Sequence, residues 1–515
     1  MTDVKEIIEL IDSPTKSEIE FITKAYEFAK EKHGDQKRYS GDLYFTHPFE
    51  VAKYIAKIGM APNMIAAALL HDTVEDLDVP PETIEEEFNK DVSLLVEGVT
   101  KLGKVRYRGM KRHTESLRKL FAATSEDVRV MIIKLLDRLH NARTLEHVPE
   151  AKRERIALET IEIYAQIADR LGMGVVKREL EDAVFPFAYP EDYEDIREKF
   201  KEAGGEDLKK LDKIHKSIKK KLAEYGIKNF TTSTRVKGLY SFYKKLGRKG
   251  GDVNRIRDVW ALRIVLPTVA DCYTVMGVIH AEWKPMPGRI KDYIAFPKPN
   301  GYQSIHTTIH TGDGGMLEVQ IRTKPMHKEA QYGIASHIGY KETAHKNNNK
   351  KTQSSSGMDW IKQFIPHILL PSTNKNNDDG KQPTFTKTGT PEWIKHMAEN
   401  KRKENPDEYI ENIKTDFFSH RMFVFTPKGD VIDLPIESTA IDFAYAIHSH
   451  IGHHISGVKI NGKMSSLDSV LHNGDIIEII TSKQARPTRK WIDYAKTNMA
   501  KRFIRTYLAH SHKNK

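Results

Sequence analysis

The spacing of apolar residues changes along this 515-residue chain, and the change limits the folds that it can adopt. Up to about residue 195, apolar residues recur at the interval of a helix with one buried face, in segment after segment. From about 230 to 340, apolar and polar residues alternate within short runs such as 259–266 and 317–322, which is typical of strands. The first part is therefore predicted to be all-α and the second α+β.

The individual helices of the first part follow from the same spacing. They are predicted at 19–32, 48–58, 63–75, 81–89, 92–100, 114–123, 127–145 and 152–171.

A third compact unit is predicted near the C-terminus. Residues 422–434 predict a hairpin, 440–451 predict a helix, and short strands flank Asn461-Gly462 and Asn473-Gly474. Residues 345–390 are polar and low in complexity, apart from a short apolar helix near Trp360, so they predict a partly disordered linker. Residues 488–510 predict a basic helical tail.

Size and charge narrow the class of protein. A chain of 59.0 kDa is too long for one hydrophobic core, and its net charge of +11 favours anionic partners. Between Lys209 and Lys249 there are 14 Lys or Arg and two acids. The single cysteine, Cys272, permits no internal disulfide, and no apolar run approaches the ~20 residues of a membrane span. We expect a cytoplasmic protein with no membrane partner.

Four residues of metal-ligand type lie in the helical part. They are His47, His71, Asp72 and Asp137. Two imidazoles and two carboxylates suit a divalent ion. Glu75 and Asp76 follow His71 at i+4 and i+5, on the same sector of a helix. Any one of these residues alone is better explained as a helix cap, as for His47, or as a solvated acid, but the whole set predicts a metal site.

A divalent ion bound there would lower the pKa of a bound water and polarise a phosphoryl oxygen, which is the chemistry of phosphoester hydrolysis. Glu75 and Asp76 would orient or deprotonate that water. The sequence thus predicts a metal-dependent hydrolase.

The His…His-Asp…Asp pattern resembles the HD phosphohydrolase superfamily, and residues 36–48 and 137–145 resemble the hydrolase half of RelA/SpoT-type bifunctional (p)ppGpp synthetase/hydrolases. The resemblance implies an all-α HD-type domain that holds Mn2+ and cleaves the 3′-diphosphate of a guanosine alarmone. It implies nucleotide contacts from Arg38, Ser40, Asn141 and Thr144. Tyr39 departs from the pattern, because the family usually has a lysine there.

The segments 234–245, 287–308 and 317–323 resemble the synthetase of the same family, an α+β nucleotidyltransferase-like domain. The resemblance implies transfer of pyrophosphate from ATP to the 3′-hydroxyl of GDP or GTP. Asp258 and Glu318 would hold Mg2+, and Glu318 would also activate the hydroxyl. The implied nucleotide-binding residues are Arg235, Lys237, Lys245, Arg289, Lys291, Lys298, Asn300, Tyr302 and His306.

Simple chemistry agrees with several of these roles. Arg235, Lys237 and Lys245 supply cations for ATP phosphates, and Tyr302 offers a ring for guanine stacking. Without the wider pattern, Glu318 would be assigned to an ordinary solvated sheet face.

Two further features bear on the choice of residues and activities. If 258–266 were a regular strand, Arg263 would face away from Asp258, so Arg263 is left out of the predicted site. The motif Arg289-Ile290-Lys291-Asp292 has the Arg-x-Lys-Asp form of the family's bifunctional members. We therefore expect both activities.

Residues 423–482 resemble a TGS domain, a small β-grasp unit. In ribosome-associated members of the family this domain contacts the acceptor end of deacylated tRNA, which His448 or His453 would do here. A helix-stabilising or core role for either histidine fits the sequence equally well. Longer members continue into helical and ACT-type regulatory parts that this chain lacks, which leaves open a natural short form or a shortened chain.

The predicted domains are an HD-type hydrolase at 1–195, a synthetase at 196–342, a linker at 343–415, a TGS domain at 416–484 and a basic helical tail at 485–515. Two other interpretations stay open. One is a hydrolase whose synthetase domain binds nucleotide without turnover. The other is a regulator that binds tRNA or ribosomes.

Overall fold

The structure, a computed structural model, describes residues 2–103, 127–203, 208–253, 256, 259–298, 300–312, 315–336, 338, 421–427, 431–472, 474–482 and 484–513. The chain divides into two compact units, 1–97 with 132–352 and 98–131 with 353–515. The predicted linker at 343–415 and the predicted helix at 114–123 lie outside the described residues, and the predicted domain limits stay predictions.

The N-terminal part is helical, as predicted. Its helices are α1 Lys5–Ile8, α2 Lys16–His33, α3 Thr46–Lys57, α4 Pro62–Asp76, α5 Pro81–Glu87, α6 Lys90–Gly103, α7 Val128–Arg143, α8 Glu150–Glu159, α9 Ala165–Arg170, α10 Gly174–Ala188, α11 Pro190–Glu202 and α12 Leu208–Glu224. Among these described helices and those further along the chain, none combines the length and apolarity that crossing a membrane requires.

Local chemistry explains where the key helices begin and end. A capping box of Thr15 and Glu18 starts α2, and Gly34, where φ is +48°, follows its last residue and caps it. Every residue of α4 from Met64 to Val74 is buried, so this helix is central and carries its late residues into the interior. The predicted helix 152–171 is interrupted by one turn of wider π-type helix, Thr160–Tyr164, which the apolar spacing did not indicate.

A five-stranded mixed sheet forms the α+β part. Its elements are β1 Thr231–Val236, α13 Leu239–Arg248, β2 Trp260–Leu266, α14 Val269–Glu282, β3 Lys291–Asp292, β4 Ile305–His310, β5 Met316–Thr323 and α15 Lys324–Tyr332. The strand order is β1-β2-β5-β4-β3, with β2 and β5 parallel and the other neighbours antiparallel. One face of the sheet is apolar and packs against α12 and α14. Ile264 and Val319 of the sheet, for example, share a core with Ile218 of α12.

Helix α10 joins the helical part to this sheet part within one unit. The Asp182 carboxylate accepts a hydrogen bond from Tyr240 N at 3.1 Å, at the start of α13. A Cβ at Gly238 would meet the Asp182 carboxylate, so a larger residue there would displace that side chain. Buried Glu181 also receives Lys244 Nζ at 3.0 Å. The segment that carries Lys237 is therefore held against the helical part.

The C-terminal part has the predicted hairpin and strands. Its elements are β6 Arg421–Phe425, β7 Val431–Pro435, α16 Ala440–Ile447, α17 Ser449–His453, β8 Ile455–Ile460, β9 Lys463–Ser465, β10 Ile477–Thr481, α18 Lys490–Tyr494 and α19 Asn498–Lys513. Asn461 and Gly462 have φ of 52° and 79°, as a tight two-residue hairpin requires. The predicted helices at 440–451 and 488–510 are each two shorter helices.

Asp442 explains why the tail helix is broken before α19. Its carboxylate is fully buried and accepts hydrogen bonds from Thr439 N at 2.8 Å, Thr497 N at 2.8 Å and Lys496 N at 2.9 Å. One side chain thus caps α16 and fixes the turn that leads into α19.

We expect Asp442→Asn to lower the unfolding free energy of this part by about 3 kcal/mol, because buried amide donors lose a charged acceptor. Native-state hydrogen exchange in α16 and α19 of the whole chain measures the change. Asp468→Asn, an exposed change in the same part, is the control. Equal protection in the two variants would show that the Asp442 network adds little stability.

Candidate active sites

Three helices bring the four predicted metal ligands together. His47 lies in the first turn of α3, His71 and Asp72 near the end of α4, and Asp137 in α7. All four are buried, from 1% exposed for His71 to 9% for Asp72. His47, His71 and Asp137 each bring one ligand atom within 4.8 Å of the others.

Asp72 contacts both histidines of this group. Its Oδ1 is 3.1 Å from His71 Nε2, and its Oδ2 is 3.5 Å from His47 Nε2. His47 Nε2 is also 3.3 Å from Asp137 Oδ1. Imidazole nitrogens and carboxylate oxygens therefore converge on one small volume.

The hydrogen bonds of the histidines test whether this group suits a metal ion. His71 Nδ1 is 2.8 Å from the Ala68 carbonyl, so Nδ1 carries the hydrogen and Nε2 presents a lone pair. That Nε2 is buried and has no hydrogen-bond partner within the described part of the chain. A lone pair that faces carboxylate oxygens is repelled unless a cation lies between them. The residues thus fit a divalent metal.

His140, which the sequence reasoning missed, sets the orientation of His47. His140 Nδ1 is 2.8 Å from His47 Nδ1 and 3.0 Å from Arg38 Nη1. Burial, His47 and Arg38 lower the pKa of His140 to about 3, so its ring is a neutral acceptor. Donation from His47 Nδ1–H then leaves His47 Nε2 free to bind a metal.

Lys134 was also missed, and it balances the charge of Asp137. Lys134 Nζ lies 2.6 Å from Asp137 Oδ2 in α7. Burial alone would raise the pKa of Asp137, but Lys134 and His47 hold that pKa well below its usual range. Burial would also raise the pKa of Asp72, but His71 and His47 oppose burial, and that pKa is lowered as well. Both carboxylates are therefore ionised and able to ligate.

Glu75 and Asp76 differ in their surroundings. Burial raises the pKa of Glu75, although Lys134 opposes the effect. Asp76 is exposed at the end of α4 and accepts a hydrogen bond from the Tyr44 hydroxyl at 2.7 Å. That hydroxyl is also 3.0 Å from Asp72 Oδ2. Tyr44 was not singled out from the sequence.

The residues that the resemblance assigns to nucleotide binding have different positions. Arg38 Nη2 donates to Asn141 Oδ1 at 2.7 Å, and Asn141 Nδ2 donates to Asp137 Oδ1 at 2.6 Å. Ser40 bonds its neighbour Asp42, away from these atoms. Two more positions bear on the prediction: Thr144 follows the end of α7 and donates to backbone carbonyls, and the Tyr39 side chain is 71% exposed. Arg38 and Asn141 adjoin the metal-type group directly.

A second polar centre covers the other face of the sheet. Strand register places Arg235, Ala261 and Glu318 side by side across β1, β2 and β5. Leu317, Val319 and Ile321 point into the apolar core, so the predicted facing of β5 is confirmed. This face therefore carries the charged residues of three strands.

Arg263 belongs to this polar face. The prediction that strand alternation turns Arg263 away from the site was therefore wrong. Arg263 lies in register with Gln320, which in turn pairs with His306 on β4. The strand begins at Trp260, so the alternation assumed from Asp258 does not apply. Asp258 itself lies outside the described residues.

Glu318 is held by two neighbours. His306 Nδ1 is 3.2 Å from Glu318 Oε1, and Gln320 Nε2 donates to the same oxygen at 2.7 Å. Burial would raise the pKa of Glu318. His306, Gln320 and Lys237 together outweigh burial and lower that pKa to about 2. The Tyr302 hydroxyl lies 2.6 Å from His306 Nε2 and completes the chain. Glu318 is therefore an ionised acceptor in a fixed orientation.

The loop before β4 brings further predicted residues to this face. Lys298 Nζ lies 4.7 Å from the Tyr293 ring centre and 5.1 Å from that of Tyr302. Asn300 Nδ2 donates to the Asp169 carbonyl at 3.3 Å, so the loop touches the helical part. Lys291 pairs with His306 in the sheet. The remaining predicted cations have these places: Arg289 in an exposed loop, Lys237 just after β1 and Lys245 in α13.

Buried arginines add positive charge that the prediction undercounted. Arg322 is 1% exposed, and among the described residues neither its Nε nor that of Arg263 has a hydrogen-bond partner. Burial, Arg178 and Arg263 lower the pKa of Arg235 to about 10, and burial and Arg322 lower that of Arg263 to about 10. Guanidinium groups crowded in this way suit a polyanionic ligand.

The two histidines predicted to contact tRNA make internal contacts in the C-terminal part. His448 Nδ1 accepts a hydrogen bond from His450 N at 3.1 Å and caps α17. His453 Nδ1 is 3.1 Å from the Tyr445 hydroxyl, and its ring is 4.8 Å from that of Tyr507. The helix-stabilising and core roles are thus supported, and tRNA contact stays a prediction.

Three family descriptions match the chain: an HD domain at residues 25–174, a region found in RelA/SpoT proteins at 234–345 and a TGS domain at 422–481. These matches confirm the predicted fold classes.

Similar curated proteins cover nearly the whole chain. A guanosine-3′,5′-bis(diphosphate) 3′-pyrophosphohydrolase of Aquifex aeolicus is 42% identical over 98% of the chain and 67% of that protein. A GTP pyrophosphokinase of Streptomyces coelicolor is 40% identical over 97% of the chain and 56% of that protein. The bifunctional (p)ppGpp synthase/hydrolase RelA of Mycobacterium tuberculosis is 39% identical over 96% of the chain and 63% of that protein.

The chain therefore spans between 56% and 67% of the length of these relatives. The HD match covers the buried metal-type group, and the RelA/SpoT match covers the polar face of the sheet. The relatives are about 40% identical along the whole order of HD, RelA/SpoT and TGS regions. The chain belongs to the RelA/SpoT family of (p)ppGpp synthetases and hydrolases.

Proposed function

We propose that this chain both synthesises and hydrolyses (p)ppGpp, as a bifunctional enzyme of the stringent response. The observation that carries the proposal is the presence of two separate polar centres in one compact unit. One is the buried group around His47 and His71, and the other is the sheet face around Glu318. The names of the relatives, which include both reactions, support the same reading.

For hydrolysis, His47, His71, Asp72 and Asp137 would hold Mn2+, which supplies a water of lowered pKa and a Lewis acid for a phosphoryl oxygen. Glu75 and Asp76 would orient the attacking water and accept its proton. Arg38, Ser40, Asn141 and Thr144 bind the guanosine alarmone. The ionised state of Asp137, stabilised by Lys134, supports this assignment.

For synthesis, Asp258 and Glu318 would hold Mg2+, which neutralises phosphate charge during transfer from ATP. Arg235, Lys237 and Lys245 bind the ATP phosphates. Glu318 accepts the proton of the GDP or GTP 3′-hydroxyl, and His306 keeps its carboxylate in place. The acceptor nucleotide contacts the loop residues Arg289, Lys291, Lys298, Asn300 and Tyr302.

The two activities can be measured separately in the same preparation. We expect labelled ATP and GDP or GTP to give (p)ppGpp with Mg2+, and (p)ppGpp to release pyrophosphate with Mn2+. Hydrolysis without synthesis would favour a hydrolase whose synthetase part only binds nucleotide. Neither reaction, together with tight binding of ribosomes, would favour a regulator.

We also propose that the C-terminal part contacts deacylated tRNA on the ribosome, through or near His448 and His453. The TGS match and the basic residues of α19, such as Arg502 and Arg505, support it. A cytoplasmic location follows from these proposed substrates and partners. Binding of deacylated and aminoacylated tRNA, compared at two salt concentrations, tests the contact, and equal weak binding of both would speak against it.

A further inference from the structure

The Tyr44 hydroxyl lies between a predicted metal ligand and a predicted water-orienting acid. It is 3.0 Å from Asp72 Oδ2 and 2.7 Å from Asp76 Oδ2. A phenol has one hydrogen to donate, and ionised carboxylates only accept. The shorter distance makes Asp76 the acceptor, while Asp72 keeps its lone pairs for the metal-type group.

The Tyr44 ring cannot easily move away from this place. It stacks on the buried His33 ring at 5.0 Å between centres, with 18° between planes, and meets the His47 ring edge-on at 6.1 Å. The Tyr44 backbone N donates to the Gln36 carbonyl at 2.7 Å, and His33 Nδ1 bonds the Gln36 side chain at 3.0 Å. The hydroxyl is thus presented from a rigid support.

Asp76 needs such a support more than the metal-type residues do. It is exposed and is the last residue of α4, whereas Asp72, one turn earlier, is 9% exposed. Within the described part of the chain, the Tyr44 hydroxyl donates a hydrogen bond to the Asp76 carboxylate. An exposed carboxylate without a donor rotates among several orientations, and a fixed donor selects one.

We propose that Tyr44 is a positioning residue for hydrolysis, whose hydroxyl holds the Asp76 carboxylate in the orientation that acts on the attacking water. The proposal rests on the proposed hydrolase function. It predicts that Tyr44 contributes to the rate of the chemical step and little to binding of the alarmone, because the hydroxyl contacts two carboxylates of the protein.

Tyr44→Phe tests this role, since it keeps the ring and its stacking and removes only the hydroxyl. We expect kcat for (p)ppGpp hydrolysis at saturating Mn2+ to fall about 10- to 100-fold, the range found for groups that orient catalytic residues, with KM changed by less than about twofold. Synthesis by the same protein should be unchanged and reports that the chain is folded. Tyr26→Phe, which removes the hydroxyl of another tyrosine of the helical part, should leave hydrolysis unchanged.

A double-mutant cycle with Asp76→Asn separates positioning from other roles. If Tyr44 acts through Asp76, Tyr44→Phe should have little further effect on kcat in the Asp76→Asn background. Additive losses, an effect confined to KM, or a loss that higher Mn2+ restores would each overturn the proposal. Absence of hydrolysis in the unaltered protein would instead refute the proposed function.

Discussion

Asp72→Asn is expected to abolish hydrolysis of (p)ppGpp and to leave its synthesis intact. Asp72 presents one carboxylate oxygen to each of His71 and His47, at 3.1 Å and 3.5 Å. An amide of the same size loses the charge that balances a divalent cation and offers one oxygen in place of two. We expect a fall of about 1,000-fold or more in kcat/KM for hydrolysis, equivalent to about 4 kcal/mol. Pyrophosphate release with Mn2+ measures it.

The control for this change lies six residues further along the chain. Asp78 is exposed, has φ of +52°, and tolerates asparagine because Asn favours that backbone conformation. Asp78→Asn should hydrolyse (p)ppGpp at the normal rate. Calorimetric titration with Mn2+ should show weakened binding in Asp72→Asn alone. Retained hydrolysis, or loss of both activities in a folded protein, would contradict the assignment of Asp72 to a separate hydrolytic site.

The four metal-type residues could be predicted because sequence spacing and residue type identify them without a fold. Most of their supporting residues could not be found in this way. His140 lies three residues after Asp137 in α7, and its contact with His47 depends on how α3 approaches that helix. Lys134 is different, because it lies three residues before Asp137 on the same helix face, where helical spacing alone allows their ion pair. Tyr44 precedes His47 by three residues, and its bond to Asp76 depends on the approach of α4. Contacts between side chains of different helices depend on how the helices pack, and sequence spacing does not give that packing.

Helices with one buried face were predicted well, because burial on one side imposes the 3.6-residue period. The 3.6-residue period is weaker in α4, because almost all sides of that helix are buried. The period does not predict the π-type turn Thr160–Tyr164. In the sheet, alternation predicted β5 and its two faces correctly. It could not predict that β5 inserts between β2 and β4, because pairing of strands is set by contacts distant in sequence.

Arg263 was left out of the predicted site because of one assumption about where β2 begins. Alternation is reliable inside a strand, but Asp258 and Arg263 were compared across the beginning of β2 at Trp260. Register with Gln320 and His306 places Arg263 on the polar face. Strand parity should therefore be counted only from residues that share ladder hydrogen bonds.

Glu318→Gln is expected to abolish synthesis of (p)ppGpp and to leave hydrolysis intact. His306, Gln320 and Lys237 together lower the pKa of Glu318 to about 2 against the effect of burial, so the carboxylate is ionised at neutral pH. Glutamine keeps the size of the side chain but cannot accept the proton of the 3′-hydroxyl or supply a charged ligand for Mg2+. Loss of a general base alone costs about 100- to 10,000-fold in rate. We expect a fall near the upper end of that range.

A carboxylate on a helix that packs against the sheet separates this effect from a general loss of charge. Glu224 ends α12, which packs on the apolar face of the sheet, and it pairs with Lys221 at 3.1 Å on the surface. Glu224→Gln should synthesise (p)ppGpp at the normal rate, because an exposed ion pair contributes little to stability. Transfer from labelled ATP measures synthesis, and Mn2+-dependent pyrophosphate release from the same samples measures hydrolysis. If Glu318→Gln retained synthesis, the base would have to be sought elsewhere on the polar face. If Glu318→Gln lost hydrolysis as well while folded, the two centres would not act as separate sites.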